Sequence, residues 1–288
     1  MGLDRRILFR LATSERLERG VKRVPGGEPA AWRAASRYVA GRSRSEALGA
    51  AASLLEQGHG VSLDLFGERV GDPAVADQVV EDYLALAVAL PPDAWLSVDL
   101  SHLALDAGAA AAADRLAALA DALPAGRRVQ VGAEQLALAD SILGCVMAVA
   151  GRGLADRLGA TVQANLVRSP ADADALADAG VHVRLVKGAY VEAGGAHRFG
   201  EPTDVAFLRL GFRLAERGAA WSMATHDGRL REALLLAHAS VPVEQLLGVR
   251  PEALDELHDR GVPTRVYVPY GPDWFRYWLR RVTESRGA

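Results

Sequence analysis

The last predicted helix, GPDWFRYWLRRVTESRGA, has the residue types of a site that binds a small acid. Four polar residues at helical spacing share one face of it: Tyr277, Arg280, Arg281 and Glu284. Two adjacent arginines can hold a carboxylate through paired N–H bonds. Apolar residues such as Phe275 and Trp278 occupy the opposite arc and would anchor the helix. The same spacing also fits a solvated charged face, so the pattern alone leaves both readings open.

A second candidate segment, VHVRLVKGAY, places Arg184 and Lys187 in an apolar run. Burying a cation without a partner is costly, so we expect an anionic or electron-rich group nearby. An internal salt bridge would satisfy this requirement without any function. A desolvated Lys187 with a lowered pKa could instead form a Schiff base, as in aldolase-like barrels.

Further polar residues stand at or just after other short apolar runs. They are Asp64, Glu68, Asp99, Gln163, Thr225, His226 and Tyr267. Parallel strands of a barrel end at the same rim, so side chains at strand ends are the candidates for an active site. A lone histidine such as His226 is more often a hydrogen-bonded structural residue than a catalyst.

The elements that must position these residues alternate between strand length and helix length. Eight apolar runs predict strands: 61–66, 95–100, 128–133, 161–166, 182–187, 220–225, 243–248 and 264–269. Segments with apolar spacing near 3.6 lie between them. We therefore predict an α/β fold, a (βα)8 TIM-type barrel over residues 58–288, with an N-terminal helical segment at 1–57 and the last helix over the barrel mouth. An open doubly wound sheet is the second choice, but no G-x-G-x-x-G follows the first strand.

Composition narrows the class of function. The 288 residues carry 33 basic and 36 acidic side chains, a formal charge of -3, so no overall field attracts nucleic acid. The single Cys145 cannot form an internal disulfide, and the N-terminal residues lack a secretory apolar stretch. No window looks long and apolar enough to span a bilayer. We expect a cytoplasmic protein with at most peripheral contact at the inner membrane, a small-molecule substrate and no metal.

Four segments resemble the signature segments of the proline dehydrogenase family. They are RLVKGAY (184–190), ATHD (224–227), RVYVPYG (265–271) and YWLRRVTE (277–284); VSLDLFGE (61–68) and VQAN (162–165) also fit, in the same order. The resemblance implies a distorted (βα)8 barrel that holds FAD at the strand ends. It also implies transfer of hydride from the carbon next to the nitrogen of proline, or of a similar imino acid, to flavin N5, which gives a cyclic imine. A quinone or another electron acceptor would then reoxidise the flavin.

The resemblance implies a role for each matching residue. Those implied to contact FAD are Gln163, Arg184, Val186, Gly188, Thr203, Asp204, Thr225 and His226. Those implied to bind or enclose the substrate are Arg280, Arg281, Glu284, Tyr190, Leu246, Tyr267 and Tyr277. Arg184, beside flavin N5, and Tyr267 are expected to act in catalysis. Asp99, which does not match the family pattern, is the third residue expected to act in catalysis.

Several substitutions separate this chain from the family pattern. A family lysine at the end of the second strand is Asp99 here, and an aspartate at the end of the third strand is Gly132. Asn165 replaces a tyrosine, and 242–244 reads Pro-Val-Glu in place of Glu-Phe-Gln. An ionised Asp99 about 5 Å from a substrate carboxylate would cost roughly 3 kcal/mol at an effective dielectric near 20.

Three interpretations follow from these substitutions. In the first, the substrate is proline-like and Asp99 pairs with Arg280 or Lys187. In the second, a related flavoenzyme oxidises a different amine, and Asp99 binds its ammonium group or acts as a base. In the third, the barrel holds no flavin and is a Schiff-base lyase through Lys187 or a catalytically silent binding protein.

Overall fold

Helices precede the first strand in this computed structural model, which describes residues 15–285. The side chains of residues 15–17, Lys22, Arg280 and 282–285 fall outside the described set. The first three described helices are α1 (Glu15–Arg23), α2 (Gly27–Ala35) and α3 (Arg44–Glu56). Ser43 caps α3 through a reciprocal pair of hydrogen bonds with Glu46, which fixes where this helix begins.

The eight predicted strands form a closed parallel barrel in chain order. They are β1 (Gly60–Leu65), β2 (Ala94–Val98), β3 (Val129–Val131), β4 (Leu158–Gln163), β5 (His182–Val186), β6 (Trp221–Ala224), β7 (Val243–Leu246) and β8 (Thr264–Tyr270). Strand β4 begins three residues before its predicted start, because Leu158–Ala160 pairs with all of β3. The small residues at 159 and 160 hid this pairing from a reading based on apolar runs.

A helix follows each strand and covers the outside of the barrel or its mouth. The helices are α4 (Pro73–Ala89), α5 (Ala109–Asp121), α6 (Ala139–Val149), α7 (Ser169–Asp178), α8 (Glu201–Glu216), α9 (Gly228–Ala237), α10 (Pro251–Asp259) and α11 (Trp274–Ser285). Side-chain caps fix two starts: Asp72 accepts from Ala74 N and Asp227 from Arg229 N. Both caps stand in the loop that follows a strand, so they also set where that loop ends.

Alternation along the strands separates an apolar shell from a polar interior. On β1, Val61 and Leu63 are fully buried in the apolar core, whereas Ser62 and Asp64 point to the barrel interior and its mouth. Strand β5 repeats the pattern, with Val183 and Leu185 in the core and Arg184 facing inward. The period of two therefore explains how a cation can stand within an apolar run.

One helical run, Leu136–Arg157, is long and apolar enough to cross a membrane by length and composition, with a mean hydropathy of 1.4. The sequence reading, which expected no such window, was wrong on this point. The run is not one regular helix: it contains α6, then a π-helical turn and a kink at Gly153, whose φ is 87°. Its helix α6 packs beside α5 on the outside of the barrel.

Candidate active site

A cavity of about 290 Å³ opens at the carboxyl ends of the strands. Eleven residues predicted as site residues line it: Asp99, Gln163, Arg184, Val186, Gly188, Tyr190, His226, Leu246, Tyr267, Tyr277 and Arg281. They come from six strand ends or the loops that follow them and from α11. The closed barrel thus brings side chains 182 positions apart in sequence, Asp99 and Arg281, to one space.

Arg184 forms a buried ion pair across the inside of the barrel. Its Nε lies 2.7 Å from Glu244 Oε2, and the two side chains are 7% and 2% exposed. Ser222 donates to the other carboxylate oxygen of Glu244 at 2.5 Å, and Arg184 donates to Ser62 Oγ at 3.4 Å. The anionic partner expected for Arg184 is therefore Glu244, one of the residues that depart from the family pattern.

Asp64 and Tyr267 form a second hydrogen-bonded pair, in which Asp64 is buried and Tyr267 is half-buried. The Tyr267 hydroxyl donates to Asp64 Oδ2 at 2.8 Å, and both residues line the cavity. Burial raises the pKa of the Asp64 carboxyl to about 6, although hydrogen bonds from Tyr267, Ser97 and Tyr83 oppose the shift. Burial also raises the pKa of Tyr267 well above its usual value, so its phenol stays protonated.

Helix α11 closes the cavity with an aromatic and a cationic side chain. Tyr277 is buried, with its ring 5.1 Å from that of Phe66 and 6.1 Å from that of Tyr267. The Arg281 guanidinium lies 5.0 Å from the centre of the Tyr277 ring and lines the cavity. Trp274 and Phe275, in the first turn of the helix, are buried. The side chains of Arg280 and Glu284, also predicted to bind substrate, lie outside the described residues.

Asp99 lines the cavity directly beside Gly132. It follows β2, and a Cβ built on Gly132 would overlap its carboxylate. The two departures from the family pattern are thus coupled in space, since a side chain at 132 and the observed position of Asp99 exclude each other. The cavity wall therefore carries a carboxylate at the position where the resemblance implies a lysine.

His226 is a neutral imidazole at the cavity edge. Its Nε2 accepts from Leu246 N at 3.4 Å, and its buried Nδ1 has no hydrogen-bond partner within the described residues. Burial lowers the pKa of His226 to about 4, and the charges of Arg281 and Arg250 add to the shift. A ligand in the cavity could satisfy the Nδ1 atom.

Three predicted cofactor residues do not line this cavity. Thr203 is fully buried and donates to Arg198 O, Asp204 pairs with Lys187 at 2.5 Å, and Thr225 accepts from Asp227 N. Their contact with FAD stays a prediction. Lys187 also lies 3.3 Å from Asp227 Oδ2, so two carboxylates surround its ammonium group.

The sequence placed Asp64 among the strand-end candidates without a specific role and gave no role to Glu244, although both residues line the cavity. Asp64 was visible as a polar residue in a strand, and Glu244 as a departure from the family pattern. Their partners, Tyr267 and Arg184, are 203 and 60 residues away in sequence, so only the barrel register brings them together.

Comparison with known proteins identifies the family. A sequence model described as proline dehydrogenase matches residues 47–288. Proline dehydrogenase of Deinococcus radiodurans is 31% identical over 274 residues, covering 88% of this chain and 87% of that protein. Proline dehydrogenase 1 of Bacillus subtilis strain 168 is 31% identical over 262 residues, covering 87% and 86% of the two chains.

Solved structures show the same fold. Proline utilization A from Bdellovibrio bacteriovorus, inactivated by N-propargylglycine, superposes with a TM-score of 0.82 at 19% identity, covering 98% of this chain. A mutant of proline utilization A from Bradyrhizobium japonicum gives a TM-score of 0.75 at 22% identity over 94% of this chain. This chain spans only 36% and 33% of those longer proteins. With matches across most of its length, this chain belongs to the proline dehydrogenase family.

Proposed function

We propose that this protein is an FAD-dependent dehydrogenase that oxidises proline or a similar imino acid to a cyclic imine. The observation that carries the proposal is the convergence of Arg184, Tyr267 and Arg281 on one cavity at the strand ends. The names of the curated relatives, proline dehydrogenases, support the same activity.

The cavity fits a flat, polar-edged ring system. Small residues at or just after the ends of β3, β5 and β6 line part of its wall and allow close approach of a planar group; they are Gly132, Ala133, Gly188, Ala189 and Ala224. The buried Nδ1 of His226 offers an unsatisfied polar atom at the edge. Gln163 is held in place by its bond to Glu134 O at 2.8 Å. Gln163, Arg184 and His226 would hold the isoalloxazine, which would supply the hydride acceptor at N5.

The remaining residues position and enclose the substrate. Arg281 would bind its carboxylate, with Arg280 as the proposed second half of the clamp. Tyr267 and Tyr277 wall the cavity with tilted rings and would exclude water from the reacting carbon. Arg184 contributes positive charge at the cavity floor, and Glu244 offsets part of it. Orientation and electrostatics are therefore the contribution of the protein.

We propose that a quinone or another electron acceptor reoxidises the flavin. We also propose that the protein resides in the cytoplasm with peripheral contact at the inner membrane. The formal charge of -3 gives no reason to expect nucleic acid as a partner. Cell fractionation with and without a salt wash tests this: the protein should leave the membrane fraction in salt. Retention after a salt wash contradicts the peripheral assignment.

Anaerobic mixing tests the activity. The purified protein should be yellow with a flavin spectrum, and proline should bleach it. The matched control is Arg281→Gln, which keeps the flavin site but should need far more proline for bleaching. A colourless protein that takes up no added FAD contradicts the proposal, as does a yellow protein that no cyclic or acyclic amine bleaches.

A second candidate function is the oxidation of a different amine, which the position of Asp99 on the cavity wall favours. A carboxylate there would attract an extra ammonium or hydroxyl donor on the substrate. Bleaching by such an amine but not by proline would identify this case. A Schiff-base lyase is disfavoured because Lys187 Nζ is engaged in ion pairs with Asp204 and Asp227 and Lys187 is not among the residues that line the cavity. Borohydride should trap no carbonyl compound on Lys187.

A further inference from the structure

A buried carboxyl on β1 lies behind a tyrosine hydroxyl at the cavity wall. Asp64 Oδ2 accepts from the Tyr267 hydroxyl at 2.8 Å, and Asp64 is 4% exposed. Oxidation of a protonated amine releases a proton as well as a hydride, so the site needs a group that can receive it. The phenol oxygen of Tyr267 keeps a lone pair for an N–H donor while its own hydrogen points at Asp64.

We infer that Asp64 is the proton acceptor of this site and receives, through the hydroxyl of Tyr267, the proton lost by the substrate amine. The inference rests on the proposed function. In the step, one N–H bond of the ammonium breaks and an O–H bond forms on Tyr267, while the Tyr267 proton passes to Asp64 and gives a neutral carboxylic acid. A bound flavin would then accept the hydride with its electron pair from the neighbouring carbon, and the C–N bond would become C=N. Asp64 finally returns its proton to solvent.

The surroundings of Asp64 suit this role. The titratable groups around it are Tyr83 of α4, Tyr267 and Tyr270 of β8, Arg184 of β5 and Asp99 after β2. Burial raises the pKa of Asp64 to about 6, so the group is a carboxylate at neutral pH yet basic enough to accept a proton. Burial holds the pKa of Tyr267 well above its usual value, which disfavours a separate tyrosinate and favours a joint transfer of the two protons.

Two tyrosines allow a matched comparison, because each places its hydroxyl near Asp64 but only Tyr267 lines the cavity. The Tyr83 hydroxyl is 3.3 Å from Asp64 Oδ1 and closer, 2.8 Å, to Ser97 O. Tyr83→Phe therefore disturbs the surroundings of Asp64 without breaking the route from the substrate. It also removes the acceptor of Leu65 N, so the rates must be normalised to folded, flavin-loaded protein.

The main test is the pH dependence of kcat/KM with proline. The wild-type value should fall below an apparent pKa near 6, because protonated Asp64 cannot accept a proton. Asp64→Asn should lower kcat/KM at pH 7 by about 10²–10⁴-fold and remove this acidic limb. Tyr267→Phe should lose about 10²-fold, whereas Tyr83→Phe should keep the limb and lose less than about tenfold. An unchanged limb in Asp64→Asn, or equal losses in the two tyrosine variants, overturns the inference.

Calorimetry gives a readout that needs no turnover. Tetrahydrofuran-2-carboxylate, a proline analogue with oxygen in place of nitrogen, brings a negative charge near Asp64 and should raise its pKa. Binding at pH 6.5, measured in two buffers of different ionisation enthalpy, should show proton uptake in wild type and none in Asp64→Asn. Binding without uptake in wild type contradicts the inference. Failure of proline to bleach the wild-type flavin, with uptake still present, rejects the proposed substrate but not the acceptor.

Discussion

The buried pair between Arg184 and Glu244 gives the sharpest prediction about stability. Glu244→Gln removes one negative charge and keeps the side-chain volume, so cavity formation contributes little. The side chains are 7% and 2% exposed, and neutralising one partner leaves an uncompensated charge inside the barrel. Breaking such a pair costs about 3–5 kcal/mol. The amide oxygen can still accept from Ser222, so we expect the lower end, about 3 kcal/mol, which lowers Tm by roughly 6–12 °C.

The assay is thermal and urea unfolding of wild type and variants at equal flavin content, because bound flavin stabilises the folded state. The control is Asp114→Ala, which breaks the exposed pair with Arg152 and should cost less than about 1 kcal/mol; the Arg152 side chain is 44% exposed and that of Asp114 is 70% exposed. The double variant Arg184→Met/Glu244→Leu should recover part of the lost stability while losing activity. It removes the uncompensated Arg184 charge, but Arg265 and Arg128 still lose the nearby charge of Glu244. If Glu244→Gln costs no more than the control, the pair is not desolvated as described and the reasoning is refuted.

Three further predictions concern the cavity wall and α11. Asp99→Lys should raise kcat/KM for proline by about a hundredfold in steady-state kinetics, because it removes a repulsion of roughly 3 kcal/mol between the Asp99 carboxylate and the substrate carboxylate. A decrease in kcat/KM would mean that Asp99 assists catalysis. Gly132→Ala should cost less than about 1 kcal/mol in urea unfolding, because the added Cβ meets the end of the Asp99 side chain, which can turn into the cavity; an equal cost in an Asp99→Ala background would exclude this contact as the cause. Arg281→Lys should raise KM for proline about tenfold with little change in kcat, because a point charge replaces a planar fork; a loss confined to kcat would contradict ground-state carboxylate binding.

The barrel itself could be predicted from the sequence because each strand is a short apolar run between helix-length segments. The predicted start of β4 was three residues too late, because Gly159 and Ala160 carry no strand signal. The pairing of these residues with β3 decides where the strand begins. Arg184 could be predicted as an inward-facing residue with an anionic partner. That partner, Glu244, could not be identified, because it comes from another strand and is fixed only when the barrel closes.

The residues of the candidate site could also be predicted only in part. Residues at strand ends, such as Gln163 and Tyr267, lie on the cavity because a parallel barrel collects its strand ends at one rim. Thr203 is placed by the start of α8 instead, and its hydroxyl is used by Arg198 O. The pairing of Asp64 with Tyr267 depends on the register between β1 and β8, which joins the first strand to the last. Long-range register is the information that apolar periodicity lacks.

A crystal structure of the protein with FAD and tetrahydrofuran-2-carboxylate tests the central claim most directly. We expect the isoalloxazine in the strand-end cavity with N5 within hydrogen-bond distance of Arg184, and the carboxylate of the analogue on Arg281. An isoalloxazine bound elsewhere on the protein, or an analogue whose carboxylate faces away from α11, would contradict it.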